Sequence, residues 1–471
     1  MDDLLDLGAL EQALALEARQ VSAEELMRAT LARIAARNPA VNAIVSLRDE
    51  EALLAEARAA DQAPRKGWLH GLPMAVKDLS NVAGLPTSMG SPIMAGQVAR
   101  KDDLMVGRLR AAGALFIGKT NTPEFGLGSH TFNPVHGATG NAWNPGLSAG
   151  GSSGGAAVAL ACRMLAVADG SDMMGSLRNP AGWNNVYGMR PSWGRVPDAA
   201  EGETFLHPLA TNGPMARNPR DLAALLEVQA GPNPARPFTL PTEDYLSRIE
   251  APVKGRRVAW LGDWGGAYAM EDGVLAICEA ALAHFDTLGV TVEALDAPFD
   301  AGRLWQAWLD LRAFANANRL APLYGNPEWR RQLKATAIWE IETGRALTLE
   351  AVQAASLARS QWWAKAAALF ESYDALILPS AQVWPFPVAQ EYPTEIAGRA
   401  MDTYHRWMEV VLPVSILGLP AVSVPAGFGP GGLPMGMQLI GRHGDDLGLL
   451  QLAETWHQAT PFARQRPPLT A

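Results

Sequence analysis

The chain has 471 residues, 48% hydrophobic and 18% charged, with two cysteines and a formal net charge of -9. These values exclude a disordered chain, a disulfide framework and a broad basic face for nucleic acid. The acidic start Met-Asp-Asp is unlike a secretory signal, and no run of about 18 uncharged apolar residues reads as a membrane span, so a soluble cytoplasmic protein is expected.

Residues 8–60 read as helices. Ser22 caps one of them, Glu25 completes a capping box, and Met27, Leu31 and Ile34 form its apolar face. Met74-Ala75-Val76 has the pattern of a short buried strand, and Lys77 follows it directly. The stretch 81–96, rich in Gly, Pro and Ser, reads as loop. A helix is expected over 104–112, a strand over 114–118 and a turn from Lys119 to Pro123. Residues 156–161 favour helix, and 165–168 read as a strand delivering a Gly/Ser turn over 170–176. The alternation of strand and helix from about 70 to 190 marks an α/β fold. Residues 197–241, with raised Pro and Gly, read as an insertion or linker. Then come a strand over 258–261, a helix over 275–288, a strand over 289–292 and a mostly helical segment over 301–373. A buried strand over 375–379, a strand pair over 421–425 and 435–440, and a helix over 447–457 close the chain. Cys162 and Cys278 lie in apolar helical patterns and read as buried free thiols.

Two short motifs mislead. Gly113 to Thr120 matches the phosphate-loop pattern G-x-x-x-x-G-K-[ST], but its variable positions are strand-like and Asn121-Thr122-Pro123 follows where a helix must begin. Gly150-Gly151-Ser152-Ser153-Gly154 matches the nucleophile elbow G-x-S-x-G. That elbow needs an apolar strand before its serine, and Pro145 and Gly146 occupy that stretch. His443 and His457 are the histidines open to a Ser–His–Asp triad. The histidines are scattered, with no H-E-x-x-H helix, so no metal and no cofactor are expected.

The informative stretch is Ser148-Ala149-Gly150-Gly151-Ser152-Ser153-Gly154-Gly155, with Asp172-Met173-Met174-Gly175-Ser176-Leu177-Arg178 following at fixed distance. Glycines this dense let the backbone approach a reacting group and aim N–H donors at it. The helix-favouring run after it puts Ser152 and Ser153 near a helix N-terminus. With Lys77 these segments resemble the amidase signature family. Leu69 to Asp78 is similar to that family's lysine strand, Gly118 to Phe125 to its next strand and turn, and Gly418 to Ala421 with Gly432 to Gly441 to its C-terminal end.

The resemblance implies one α/β domain over 1–471, a twisted mixed sheet flanked by helices. It implies amide hydrolysis through an acyl-enzyme on Ser176, with Ser152 as bridging hydroxyl and Lys77 as general base. A serine needs an adjacent base, and a lysine serves only when neutral, which burial favours. The oxyanion donors implied are the N–H groups of Met173, Met174, Gly175 and Ser176. Asp172 and Arg178 are expected to pair and hold that turn. Met174 replaces the first of two glycines usual before the nucleophile, at a cost of about 1 kcal/mol or more if φ there is positive.

The expected partner is a small-molecule amide, with no nucleic acid and no membrane; the oligomeric state, a homodimer included, stays open. Eight tryptophans lie between Trp305 and Trp407. Most are expected in the core, with one or two in the cleft beside Met89, Met173 and Met174. Uncharged aryl or alkyl amides are therefore the expected substrates. An esterase or urethanase on the same site, the glutaminase subunit of a tRNA-dependent amidotransferase, and a non-catalytic binding protein are the alternatives.

Overall fold

Apolar strands are gathered into two sheets that meet edge to edge, and the Gly/Ser segments lie at the seam. The computed structural model describes residues 2–198 and 203–470. In the large sheet eight strands run in the order Thr291–Ala294, Arg257–Trp260, Ala375–Pro379, Pro434–Ile440, Ala421–Phe428, Tyr187–Arg190, Thr211–Ala216 and Val167–Asp172. The first three are parallel and every later pairing is antiparallel, a mixed sheet as expected. Its central strands read as continuous apolar runs because both faces are covered.

Helices Val274–Thr287 and Asp446–Ala459 pack against the sheet, as does Arg178–Asn184. The last comes close because it carries Gly182, where a Cβ would stand 2.3 Å from Ser380 Oγ and 3.1 Å from Gly436 N.

The small sheet has the order Ile44–Val45, Leu115–Thr120, Pro73–Lys77, with the first pair antiparallel and the second parallel. Pro73–Lys77 is its edge strand, and it faces Val167–Asp172, the edge strand of the large sheet. Helix Gly154–Ala161, buried at all eight residues, packs under both sheets. It gets there because Gly155 has no Cβ, which would stand 2.3 Å from Asn121 N.

The N-terminal region forms helices Ala9–Glu17, Ala23–Val41 and Glu50–Gln62, and the Ser22–Glu25 capping box is present. Helices Ala301–Gly325, Ala335–Ala346 and Leu349–Ser372 fill the segment expected to be helical. Both cysteines are buried and free.

Three expectations need correction. Residues 197–241 are no linker throughout: they hold the interior strand Thr211–Ala216 and helix Pro219–Gln229. Gly213 and Pro214 conceal that strand, yet the close packing requires a glycine, since a Cβ on Gly213 would lie 2.3 Å from Met189 O. Val167–Asp172 runs on through Gly170 and Ser171, so the turn before Ser176 spans only Met173 to Gly175. Likewise Leu115–Thr120 continues through Lys119, which the sequence places in a turn. In each case strand partners override the local Gly, Ser or Lys preference.

Candidate active site

Lys77 ends its strand at the seam and is 1% exposed. Its Nζ lies 2.8 Å from Ser152 Oγ, 2.8 Å from Ser153 Oγ and 3.1 Å from Ser171 Oγ. Burial pulls its pKa down from 10.5 to about 7, against the opposing charges of Asp169 and Asp172. A neutral amine has one lone pair and two N–H groups, so it accepts from one neighbouring hydroxyl and donates to others.

Ser152 follows a cis peptide bond with Gly151, just before helix Gly154–Ala161. Its loop is clamped from outside: Ser129 Oγ donates to Gly151 O at 2.9 Å, and Thr131 Oγ1 donates to Gly150 O at 2.8 Å. The Ser153 N–H donates to Ser176 O at 3.1 Å, which ties the two serine-bearing turns together. Lys77, Ser152 and Ser176 are thus brought into one buried cluster, with Ser176 6% exposed.

The turn before Ser176 is built around Asp172. The Asp172 carboxylate accepts the Gly175 N–H at 2.9 Å and the Leu177 N–H at 3.1 Å. It also faces Arg178 Nε and Nη2, both at 3.0 Å, in a two-pronged pair, and Arg190 Nη1 at 3.2 Å. Burial alone would raise the Asp172 pKa, but Arg178 and Arg190 hold its carboxyl well below the usual range. Arg178 reaches on to Val411 O at 3.2 Å and Ser415 Oγ at 2.8 Å, so the turn is braced against the C-terminal segment.

The expected donor set narrows. The Gly175 N–H is committed to Asp172, and the N–H groups of Met173, Met174 and Ser176 have no partner among the described residues. The condition for strain at Met174 is not met: Gly175, not Met174, takes positive φ, at +78°. Nor does Met174 line the cleft, since its side chain is 2% exposed within the main core. Met173 is half-buried, with its Sδ 3.4 Å from Arg312 Nη1. Arg312 is itself held by Glu340 Oε1 at 2.6 Å and the Tyr404 hydroxyl oxygen at 2.7 Å.

A cavity of about 130 Å³ opens beside the Ser129 clamp. Its walls include Leu127, His130, Phe132, Tyr392, Tyr404 and Trp407, with Lys334 and Glu391 also present. Lys334 donates to Leu127 O at 2.7 Å, and burial lowers its pKa to about 8. Five of the eight tryptophans, Trp305, Trp308, Trp362, Trp384 and Trp407, are core; Trp329, Trp339 and Trp363 are exposed. Trp407 is the member of that set at the cavity wall.

The misleading motifs are accounted for. Lys119 is 0% exposed and spends its ammonium on Ser80 O, unavailable to a phosphate. His443 bonds Trp193 O at 2.9 Å and His457 meets the Tyr187 hydroxyl at 2.9 Å, both away from the serines. Among the described residues, no three His, Cys, Asp or Glu side chains converge as a metal site, and no helix is long and apolar enough to cross a membrane. Sequence reasoning missed Asp169, Ser153, Ser171, Arg190 and the Arg312–Glu340–Tyr404 cluster. Ser153 and Ser171 stood inside the Gly/Ser segments, and Asp169 lay between the strand expected over 165–168 and the turn that follows it; Arg312, Glu340 and Tyr404 gave no local signal.

Comparisons with known proteins agree with this architecture. The Amidase family model matches residues 25–450. An acylamidase from Rhodococcus erythropolis is 34% identical, over 98% of this chain and 97% of that protein. A glutamyl-tRNA(Gln) amidotransferase subunit from Myxococcus xanthus is 33% identical, over 99% of this chain and 100% of that protein. The crystal structure of a bacterial aryl acylamidase of the amidase signature family superposes with a TM-score of 0.90 at 28% identity, covering 98% of this chain and 99% of the other. With matches that span both sheets and the serine turns at their seam, the chain belongs to the amidase signature family and is an amide hydrolase.

Proposed function

We propose that the chain hydrolyses uncharged aryl or alkyl amides through an acyl-enzyme on Ser176. The observation that carries the reading is the buried Lys77 amine, 2.8 Å from Ser152 Oγ and with its pKa near 7. Ser176 Oγ attacks the amide carbon while its proton passes to Ser152 and the Ser152 proton to Lys77 Nζ. The carbonyl oxygen becomes an oxyanion, received by the N–H groups of Met173, Met174 and Ser176. Lys77 returns the proton through Ser152 to the leaving nitrogen as the C–N bond breaks. Water then attacks the Ser176 ester and gives a proton along the same relay to Lys77, which returns it to Ser176 Oγ as the ester C–O bond breaks and the acid leaves. A base titrating near 7 is matched to both proton transfers at neutral pH.

The aromatic-walled cavity supports the substrate class. Its volume of about 130 Å³ is close to that of an engineered apolar cavity, about 150 Å³, that admits a benzene ring. Arg312, the arginine that reaches Met173, is already neutralised by Glu340. Most of the wall is aromatic or aliphatic, with Lys334 and Glu391 as its charged groups, so an aryl or alkyl substituent matches more of the lining than a zwitterionic head group does. The deciding comparison is kcat/KM for an anilide against free glutamine, with fluorophosphonate labelling of Ser176 as the check on the nucleophile. Preference for glutamine would instead favour a glutaminase role, which the full-length similarity to an amidotransferase subunit keeps in view. Esters and carbamates reach the same acyl-enzyme and belong in the same panel.

A further inference from the structure

We propose that Asp169 is a positioning residue for the lysine base: its buried carboxylate fixes the Lys77 backbone and sets the pH at which the amine loses its proton. The inference rests on Lys77 acting as base and extends that reading by one residue.

Asp169 is the third residue of Val167–Asp172 and is 0% exposed. Across the large sheet it is opposite Pro214, which has no N–H to offer. On its other side is the seam, where the Lys77 N–H lies 3.1 Å from Asp169 Oδ1 and 3.4 Å from Oδ2. The carboxylate thus bridges the seam to the Lys77 backbone between edge strands that belong to separate sheets. An asparagine or a carbonyl would accept the same N–H, so the hydrogen bond alone does not call for a charge. A buried charge is costly unless it is compensated.

The compensation comes from two lysines. Lys77 is on the strand bonded to Asp169. Lys119 is on the next strand, with its Nζ 3.9 Å from Asp78 Oδ1 and hydrogen-bonded to Ser80 O. Asp172, further along the same strand, is already bound by Arg178 and Arg190. Helix Gly154–Ala161 and strand Thr211–Ala216 contain no titratable side chain. Burial raises the Asp169 pKa to about 6, with the Lys77 N–H, Lys119 and the Lys77 ammonium pulling against it. Lys77 and Lys119 both favour the charged form of Asp169 against its burial. An anion there favours the ammonium and keeps the amine more basic than burial alone would leave it. A more basic amine is a stronger proton acceptor from serine.

The test is the pH profile of kcat/KM for the wild type, Asp169→Asn and Asp169→Ser, with folding checked by near-ultraviolet circular dichroism. Both variants are neutral, and serine serves where asparagine does not pack. The acid limb is expected to move to lower pH by about one unit, with a lower plateau and an unchanged KM. A limb that stays in place in a folded variant overturns the inference. Lys77→Ala in the same series keeps the two readings apart. An active Lys77→Ala enzyme refutes the lysine base; an inactive one beside an unmoved limb refutes only the role of Asp169.

Discussion

Lys77→Met keeps the length of the side chain and removes its charge, and its effect on stability follows from the Lys77 pKa. That pKa is about 7 in the fold against 10.5 for an ordinary lysine. Between those values the unfolded chain holds a proton that the folded chain has given up. Wild-type stability must therefore rise with pH across that window, by about 1.4 kcal/mol per pH unit. The whole drop is worth about 5 kcal/mol. Below pH 7 the amine is charged in both states, and the destabilisation is at its full value. Methionine carries no such term. The variant does leave the Ser152 and Ser153 hydroxyls without the amine, a loss of about 1 kcal/mol each that does not depend on pH. Lys77→Met also leaves the buried Asp169 carboxylate with Lys119 as its remaining lysine, so the variant is expected to be inactive, and the test lies in how the stability difference from wild type changes with pH. Urea unfolding at pH 7 and pH 9 measures this directly. Relative to the variant, the wild type should gain about 2 kcal/mol over those two pH units. Parallel stabilities at the two pH values, or a wild type that loses ground as pH rises, would refute the buried neutral lysine.

Other outcomes follow from the same geometry. Wild-type kcat/KM should climb with pH through a single ionisation near 7, because the base acts only when deprotonated, and a chelator should leave it unchanged. Ser176→Ala should lower kcat by about four orders of magnitude, and Ser152→Ala severely but less, with a double variant no worse than the first alone; steady-state kinetics decide. Gly175→Ala forces a side chain into φ +78° and places its Cβ 2.8 Å from Val411 Cγ2. A drop in kcat of about tenfold or more is expected, and wild-type turnover would show that the turn is not held as described. Arg178→Met strands Asp172 with only Arg190, so a loss of about 3 kcal/mol or more in urea unfolding is expected.

From the sequence, the resemblance of the lysine strand and the Gly/Ser runs to the amidase signature family grouped Lys77, Ser152 and Ser176. The Gly/Ser runs and the lysine after Met74-Ala75-Val76 are local patterns, and each turn or strand they specify forms within a few residues of chain. Ser152 at the entrance to Gly154–Ala161 and the Asp172–Arg178 pair were legible for that reason. So was an α/β sheet, through its alternating strands and helices; its mixed character came from the family resemblance. What the sequence hid depends on partners distant in the chain. Thr211–Ala216 looks like loop because of Gly213 and Pro214, and it becomes a strand only when Val167–Asp172 and Tyr187–Arg190 lie on either side of it. Met174 looked like a strained replacement for glycine, and only the fold shows that the left-handed turn falls on Gly175. The pKa of Lys77 is the clearest case. Its value comes from the burial of the amine at the seam of two sheets, against the charges of Asp169, 92 residues away in sequence, and of Asp172 beyond it. Desolvation and Coulombic energy depend on distances in space, so only the tertiary structure decides them.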